Sequence, residues 1–276
     1  MEVRINSQVL DVSLENEKTI GEVLAGLENY IYGSGHILSG LIIDGQPISA
    51  SQIENAFQKE IDKVKIIDIT TNPLSEITVS SLITLLDDIR QFESLDFSEK
   101  SNFTEKWKAS ACGQFLNEEM PELRTLCIIT FENGELEAKT LYSITEERIR
   151  EVKEPQNELT KIEPVLNEVC EKMIDLPLDI QTGKDLKASQ TIQIFTSVTE
   201  KILRIFYQLE IQKYILSNSD QLVSQIDNFT KVLKEFLDAY ARSDTVLVGD
   251  LAEYEVSVKL KELYSSILEN CKGGEE

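Results

Sequence analysis

The sequence predicts an α+β fold: a small sheet-bearing domain over residues 1–73 and a mainly α-helical domain over 74–276 that ends in a helical bundle, with a sub-boundary near 155. Three observations carry this. Apolar residues recur largely at a period of two, broken by a long and a short helical stretch, as far as Ile69, and at three to four from Val79 onward. Asp44-Gly45 separates two apolar runs as a tight hairpin dipeptide does. After Glu154-Pro155 come long amphipathic stretches joined by short polar breaks.

Met1–Asn6 and Val9–Leu14 alternate through Val3, Ile5, Val9, Leu10, Val12 and Leu14, which predicts a hairpin turning at Ser7-Gln8. Thr19 and Glu22 have the spacing of a reciprocal capping box, and Ile20, Val23, Leu24, Leu27 and Ile31 follow on one helical face. Gly33 and Gly35 should end that helix, since glycine reaches the left-handed conformation at little cost. Ile37–Ile43 reads as a strand turning at Asp44-Gly45 into Gln46-Pro47-Ile48; a short helix is expected over Gln52–Phe57 and a last strand over Val64–Ile69.

That order, ββαβ(β)β, together with the Ile42-Ile43-Asp44-Gly45-Gln46-Pro47-Ile48 hairpin, resembles the β-grasp (ubiquitin-like) superfamily over the first quarter of the chain. The resemblance implies a sheet used as a docking surface. Carrier and modifier members end in a free Gly-Gly, whereas Ile69-Thr70-Thr71-Asn72-Pro73 leads into more protein, so carrier chemistry is not expected. Asn72-Pro73 is the natural boundary, because the residue before proline is pushed out of helical geometry.

Val79, Leu82, Ile83, Leu86, Ile89 and Phe92 predict a helix to about Ser94. A second, over Ser98–Asn117, would carry Phe103, Trp107, Ala111 and Phe115 as a core stripe. Met120–Val152 fits either a strand entering an Asn133-Gly134 hairpin or two helices separated by Gly134; the Glu-rich flanks and the spacing of Ala138, Leu141, Ile144 and Ile149 favour helices. The next helix carries Leu159, Ile162, Val165, Leu166, Val169, Met173 and Ile174; Pro164 predicts a kink or a late start and Asp175-Leu176-Pro177 a stop. Further helices are expected over Lys187–Ser217, Asp220–Tyr240 and Asp250–Asn270, and the tail from Lys272 should fray.

Composition bounds the function. With 27 Lys and Arg against 49 Asp and Glu, the formal charge of −22 repels phosphate backbones and anionic lipid, so neither nucleic acid nor membrane is an expected partner. The start of the chain lacks the basic-then-apolar pattern of a signal peptide, no run approaches the ~18 apolar residues of a membrane span, and a cytoplasmic location is expected. Cys112, Cys127, Cys170 and Cys271 contain no C-x-x-C pair; the first three read as buried hydrophobes and Cys271 as an exposed thiol.

Chemistry is sparse. His36, the only histidine, removes Ser-His-Asp triads and multi-histidine zinc sites and reads as a turn residue. Gly183-Lys184 lacks the remainder of a phosphate-binding loop, with Leu178 where a glycine is needed and Asp185 where Ser or Thr is needed. The polar interruption Gln181, Thr182, Gly183 and Lys184 is the candidate partner-binding loop, set between two strong helices. Asp244, Asp250, Glu253 and Glu255 gather around a short apolar loop; Asp250 and Glu253 are read as a capping box, and no metal ligand, cofactor or catalytic residue is assigned. The expected function is a non-enzymatic adaptor or scaffold for a protein partner with a basic or amphipathic surface. The alternative is an enzyme or a ligand or metal receptor with a carboxylate-lined site in the helical domain. Homo-oligomerisation through the bundle is compatible with both.

Overall fold

The computed structural model describes residues 1–11, 17–214 and 219–271. The chain forms two compact units, Met1–Ile149 and Arg150–Glu276.

The first unit opens with β1 (Glu2–Ile5) and β2 (Gln8–Leu10). Their turn is Asn6-Ser7, one residue earlier than the sequence suggests: both residues have positive φ, 48° and 67°, as a two-residue primed turn requires. Ser7 is held there by donating its N–H and hydroxyl to the Asp68 carboxylate, at 3.0 and 3.1 Å. Of the expected Val9–Leu14 strand, β2 ends at Leu10, and Val12 and Leu14 lie outside the described residues. Helix α1 (Ile20–Gly33) starts at the Thr19–Glu22 capping box, buries the five apolar residues of its predicted face, and gives way to Gly35 at φ 78°.

Strand β3 (His36–Ile43) turns at Asp44-Gly45, φ 48° and 82°, into β4 (Gln46–Pro47). His36 is therefore the first strand residue and not a turn residue; its Nδ1 lies 3.0 Å from the Ser34 carbonyl. The apolar run Ile37-Leu38 and Leu41 does not alternate strictly, and a bulge between Leu38 and Gly40 reconciles it with the pleat, so Leu38, Leu41 and Ile43 all meet the core. After α2 (Ile53–Phe57), β5 (Ile66–Pro73) runs four residues past its predicted end, because Thr70 to Pro73 pair with Gly40 to His36. A proline is tolerated at that terminal position of the ladder. The sheet order is β2-β1-β5-β3-β4, with β1 parallel to β5 and the other pairs antiparallel, a small mixed sheet compatible with a β-grasp-like fold. Val3, Leu41, Ile43, Ile67 and Ile69 form one core with α1.

Helix α3 (Leu74–Ser94) begins directly after β5, with no linker. The single helix expected over Ser98–Asn117 is two, α4 (Phe97–Lys108) and α5 (Ala111–Glu119). Ser110 caps α5 by accepting from the Gly113 N–H at 3.1 Å, and this local bond redirects the chain. The aromatic stripe divides accordingly: Phe103 and Trp107 pack with Phe92 and Phe131 at centroid distances of 4.8–5.6 Å, while Ala111 faces outward. Residues 120–152 are mainly helical, with a break at 134–137: α6 (Pro121–Ile128), a π-helical turn (Ile129–Asn133), left-handed Gly134, then α7 (Ala138–Lys153).

The second unit is an antiparallel bundle of four helical arms. Its first arm, α8 (Pro155–Gln181), contains both Pro164 and Pro177, so neither the late start nor the stop expected from them occurs. The stop is Gly183, φ 71°. Helix α9 (Asp185–Ile211) is closed off by left-handed Lys213, φ 60°, with Tyr214 N–H donating to Leu209 O at 2.9 Å; the predicted extension through Ile215 to Ser217 lies outside the described residues. Helix α10 (Ser219–Ala241) follows. The fourth arm starts earlier than expected: α11 (Thr245–Leu251), a π-helical turn (Ala252–Val256) and α12 (Ser257–Asn270). Asp250 is thus inside α11 and not its cap; Asp244 caps it, accepting from Leu247 N–H at 3.2 Å. Met173, Phe195, Ile202, Phe229, Phe236, Leu260 and Ile267 are among the buried core residues. Cys271 is half-buried against that core, contrary to the exposed thiol expected, and the tail from Lys272 lies outside the described residues.

Candidate functional site

Two surfaces present apolar side chains in a defined geometry. The first is the face of the sheet opposite α1. Directly paired residues in neighbouring strands share a face, so the register places Val9, Arg4, Asp68, Ile42 and Pro47 in one row across all five strands. Glu2 with Ile66, and Gly40 with Thr70, form flanking rows. These residues are half-buried or exposed, Val9 being 65% exposed, whereas the other face is buried against α1.

The second surface is at the end of the bundle that carries the loop Gln181–Lys184. Gln181 is the last residue of α8, Thr182 donates its hydroxyl to Leu178 O at 2.7 Å, and Lys184 N–H donates to Asp179 O at 2.8 Å across left-handed Gly183. The loop is therefore a tightly closed helix terminus. Lys184 reaches back to Asp179 Oδ1 at 3.2 Å and Lys187 to Oδ2 at 2.7 Å. The Lys187 hydrogen bond outweighs burial, and with Lys184 holds the Asp179 carboxyl below the usual carboxylate range. Asp179 is buried, and the sequence signal that could have found it is a carboxylate five and eight residues ahead of two lysines across a glycine. Open space surrounds Gly183, so Gly183→Ala should cost only the backbone strain, about 1 kcal/mol, read as a small drop in the denaturation midpoint.

Beside this loop, α8 and α11–α12 lie antiparallel in a fixed alignment. Tyr264 Oη donates to Leu159 O at 3.2 Å, Cys170 Sγ lies 3.8 Å from Ser257 O, and a Cβ built on Gly249 would meet the Pro177 ring at 3.2–3.3 Å. Leu178 and Ile174 lie one residue after and three before the Pro177 side of the Pro177–Gly249 contact on α8, and Val246 lies three residues before Gly249 on α11. On each helix the residues three before the Pro177–Gly249 contact and one after it turn to the same outer side, because antiparallel right-handed helices mirror their faces across a shared contact. Ile174, Leu178 and Val246 are 54%, 57% and 71% exposed. Glu171, Asp175, Asp250 and Glu253 are exposed around them. The acidic group of the sequence is thus distributed among the Asp244 cap, this rim and the Glu255–Lys259 ion pair, and among the described residues no cluster of three or more potential metal ligands occurs.

Elsewhere in the bundle, three carboxylates unassigned from sequence sit buried against cations: besides Asp179, Glu151 receives Arg204 at 3.1 Å through both Nε and Nη2, and Glu158 meets Lys161 at 2.8 Å and Lys201 at 3.2 Å. Burial raises the Glu158 carboxyl, but hydrogen bonds from Lys161 and Lys201 outweigh it and the net shift is downward. Burial pushes the Cys112 thiol up to about 12 and raises Cys127, Cys170 and Cys271 as well. In the native protein a thiol reagent should label Cys271 first, with Cys112, Cys127 and Cys170 reacting only on unfolding; peptide mapping of a timed alkylation checks the order.

Residues 1–73, which end with β5, match the family described as TP0873 N-terminal domain, and residues 157–266 match a domain of unknown function (DUF8042). Over 71 residues the chain is 31% identical to an uncharacterised protein of Treponema pallidum (strain Nichols), an alignment covering 26% of this chain and 36% of that protein. The chain thus matches about a third of that relative's length. No solved structure matches the chain. Among the described residues no helix is long and apolar enough to cross a membrane.

Proposed function

We propose that this protein is a non-enzymatic adaptor of the cytoplasm, whose N-terminal unit is a β-grasp-like domain that docks partner proteins on its open sheet face. The observation that supports this most is the row Val9, Arg4, Asp68, Ile42 and Pro47: apolar side chains flank a central charged pair across a five-stranded surface whose other side is filled by α1. Such a surface supplies apolar contact area together with polar groups that fix orientation. The charge of −22 favours partners with basic or amphipathic surfaces, which are steered toward it at low salt.

The test is affinity capture from native cytosol with the full chain beside its Val9→Glu/Ile42→Glu variant, read by mass spectrometry. A partner retained by the wild type and lost by the variant is the expected result. Retention that ignores the variant, or none at all, would remove the sheet face as a docking surface.

A further inference from the structure

We infer that the groove between α8 and α11, walled by Ile174, Leu178 and Val246 and rimmed by Glu171, Asp175, Asp250 and Glu253, is a second docking site that takes a basic amphipathic helix of a partner protein. It is separate from the sheet face, so either site can fail without the other.

The groove has the dimensions of a helix seat. From the level of Ile174 to that of Gln181 it runs seven residues along α8, roughly 10 Å, which accommodates two turns of an incoming helix at 1.5 Å per residue. Its three apolar residues are spread over both walls, as an incoming helix with anchors at i, i+3 or i+4 and i+7 needs. At its floor the Pro177 ring lies against Gly249, where a side chain would crowd it.

Charge selects the occupant. None of Glu171, Asp175 and Asp250 is in an ion pair among the described residues, while four nearby lysines are engaged, Lys172 with Glu168 at 2.6 Å, Lys259 with Glu255 at 3.3 Å, and Lys184 and Lys187 with Asp179; Arg242, four residues before Val246, gives its Nε to the Asp238 carbonyl at 3.1 Å. The rim therefore presents net negative charge around an apolar line. A partner helix bearing Lys or Arg beside its apolar stripe complements both features. A second copy of this chain would set the same acids against each other, and nucleic acid or anionic lipid is repelled outright.

The probe is a fluorescently labelled Leu/Lys peptide of about 18 residues with helical apolar spacing, titrated by anisotropy against the full chain, with a scrambled peptide of equal composition as control. The patterned peptide should bind saturably. Leu178→Ser/Val246→Ser should weaken it at least about tenfold, and Asp175→Asn/Asp250→Asn should weaken it and flatten its salt dependence, both with unchanged circular dichroism because all four residues are exposed. Ile83→Ser, on an exposed position of α3 in the first unit, should leave binding unchanged. Equal binding of the scrambled peptide, wild-type affinity in the Leu178/Val246 variant, or no binding at all would overturn the proposal. So would self-association of the wild type that the Leu178/Val246 variant abolishes, since the groove would then be a homodimer interface.

Discussion

Gly113→Ala should destabilise the first unit by on the order of 3 kcal/mol, or leave it unable to close its aromatic core. A Cβ at residue 113 would lie 2.2 Å from the Trp107 carbonyl oxygen and 3.1 Å from that of Lys108. Both obstacles are backbone, so no rotamer change relieves them, and α4 and α5 must separate. Their junction supports Trp107, which packs edge-on against Phe131 at 5.1 Å, and Phe131 in turn contacts Phe92 and Phe103. Against a net stability of roughly 5–15 kcal/mol such a loss is large. Trp107 is the only tryptophan, so its emission during urea denaturation reports on this core directly. A midpoint unchanged from wild type would mean that the α4–α5 corner yields more easily than its geometry indicates.

Arg204→Ala should cost the bundle on the order of 3 kcal/mol, because it deprives the buried Glu151 carboxylate of a bidentate partner while leaving the charge in place. Glu151→Gln combined with Arg204→Met should recover much of that loss, since removing both charges also removes the desolvation they require. Thermal denaturation of the two variants separates an ion-pair effect, where the double variant recovers, from a packing effect, where it does not. The neighbouring Glu158 adds a pH dependence. Its folded carboxyl is held below its ordinary value, so its contribution is fully present above the unfolded value of about 4.3 and is lost as the pH falls through the lower folded value. Asp179 acts with the same sign through Lys187 and Lys184. The bundle should therefore lose stability below about pH 4. Glu158→Gln should narrow its gap to wild type there, and a gap that stays constant with pH would contradict the assignment.

Much of the first quarter of the chain was legible because its signals are short-range. The Thr19–Glu22 capping box involves residues three apart, the Asp44-Gly45 turn needs only two positive φ values, and the face of α1 follows from helical spacing alone. The sequence by itself therefore determined the α+β class, the order of the strands and α1, the helical character of the remainder, and a charge balance that disfavours nucleic acid. Tertiary structure decided everything in which a distant group overrides a local preference. Pro177, a stop signal locally, remains inside α8 with its ring against Gly249, seventy-two positions away. The stripe at four-residue spacing from Phe103 to Phe115 reads as one helix, yet a competing local signal, the Ser110 cap on the Gly113 N–H, makes it two. Asp250 carries the local pattern of a cap, but Asp244 starts the helix earlier and leaves Asp250 on the rim of a groove. The groove itself could not be read from sequence: Ile174, Leu178 and Val246 have the same apolar character as core residues in their helices. Only the packing of α8 against α11 determines which side of each helix is left in water.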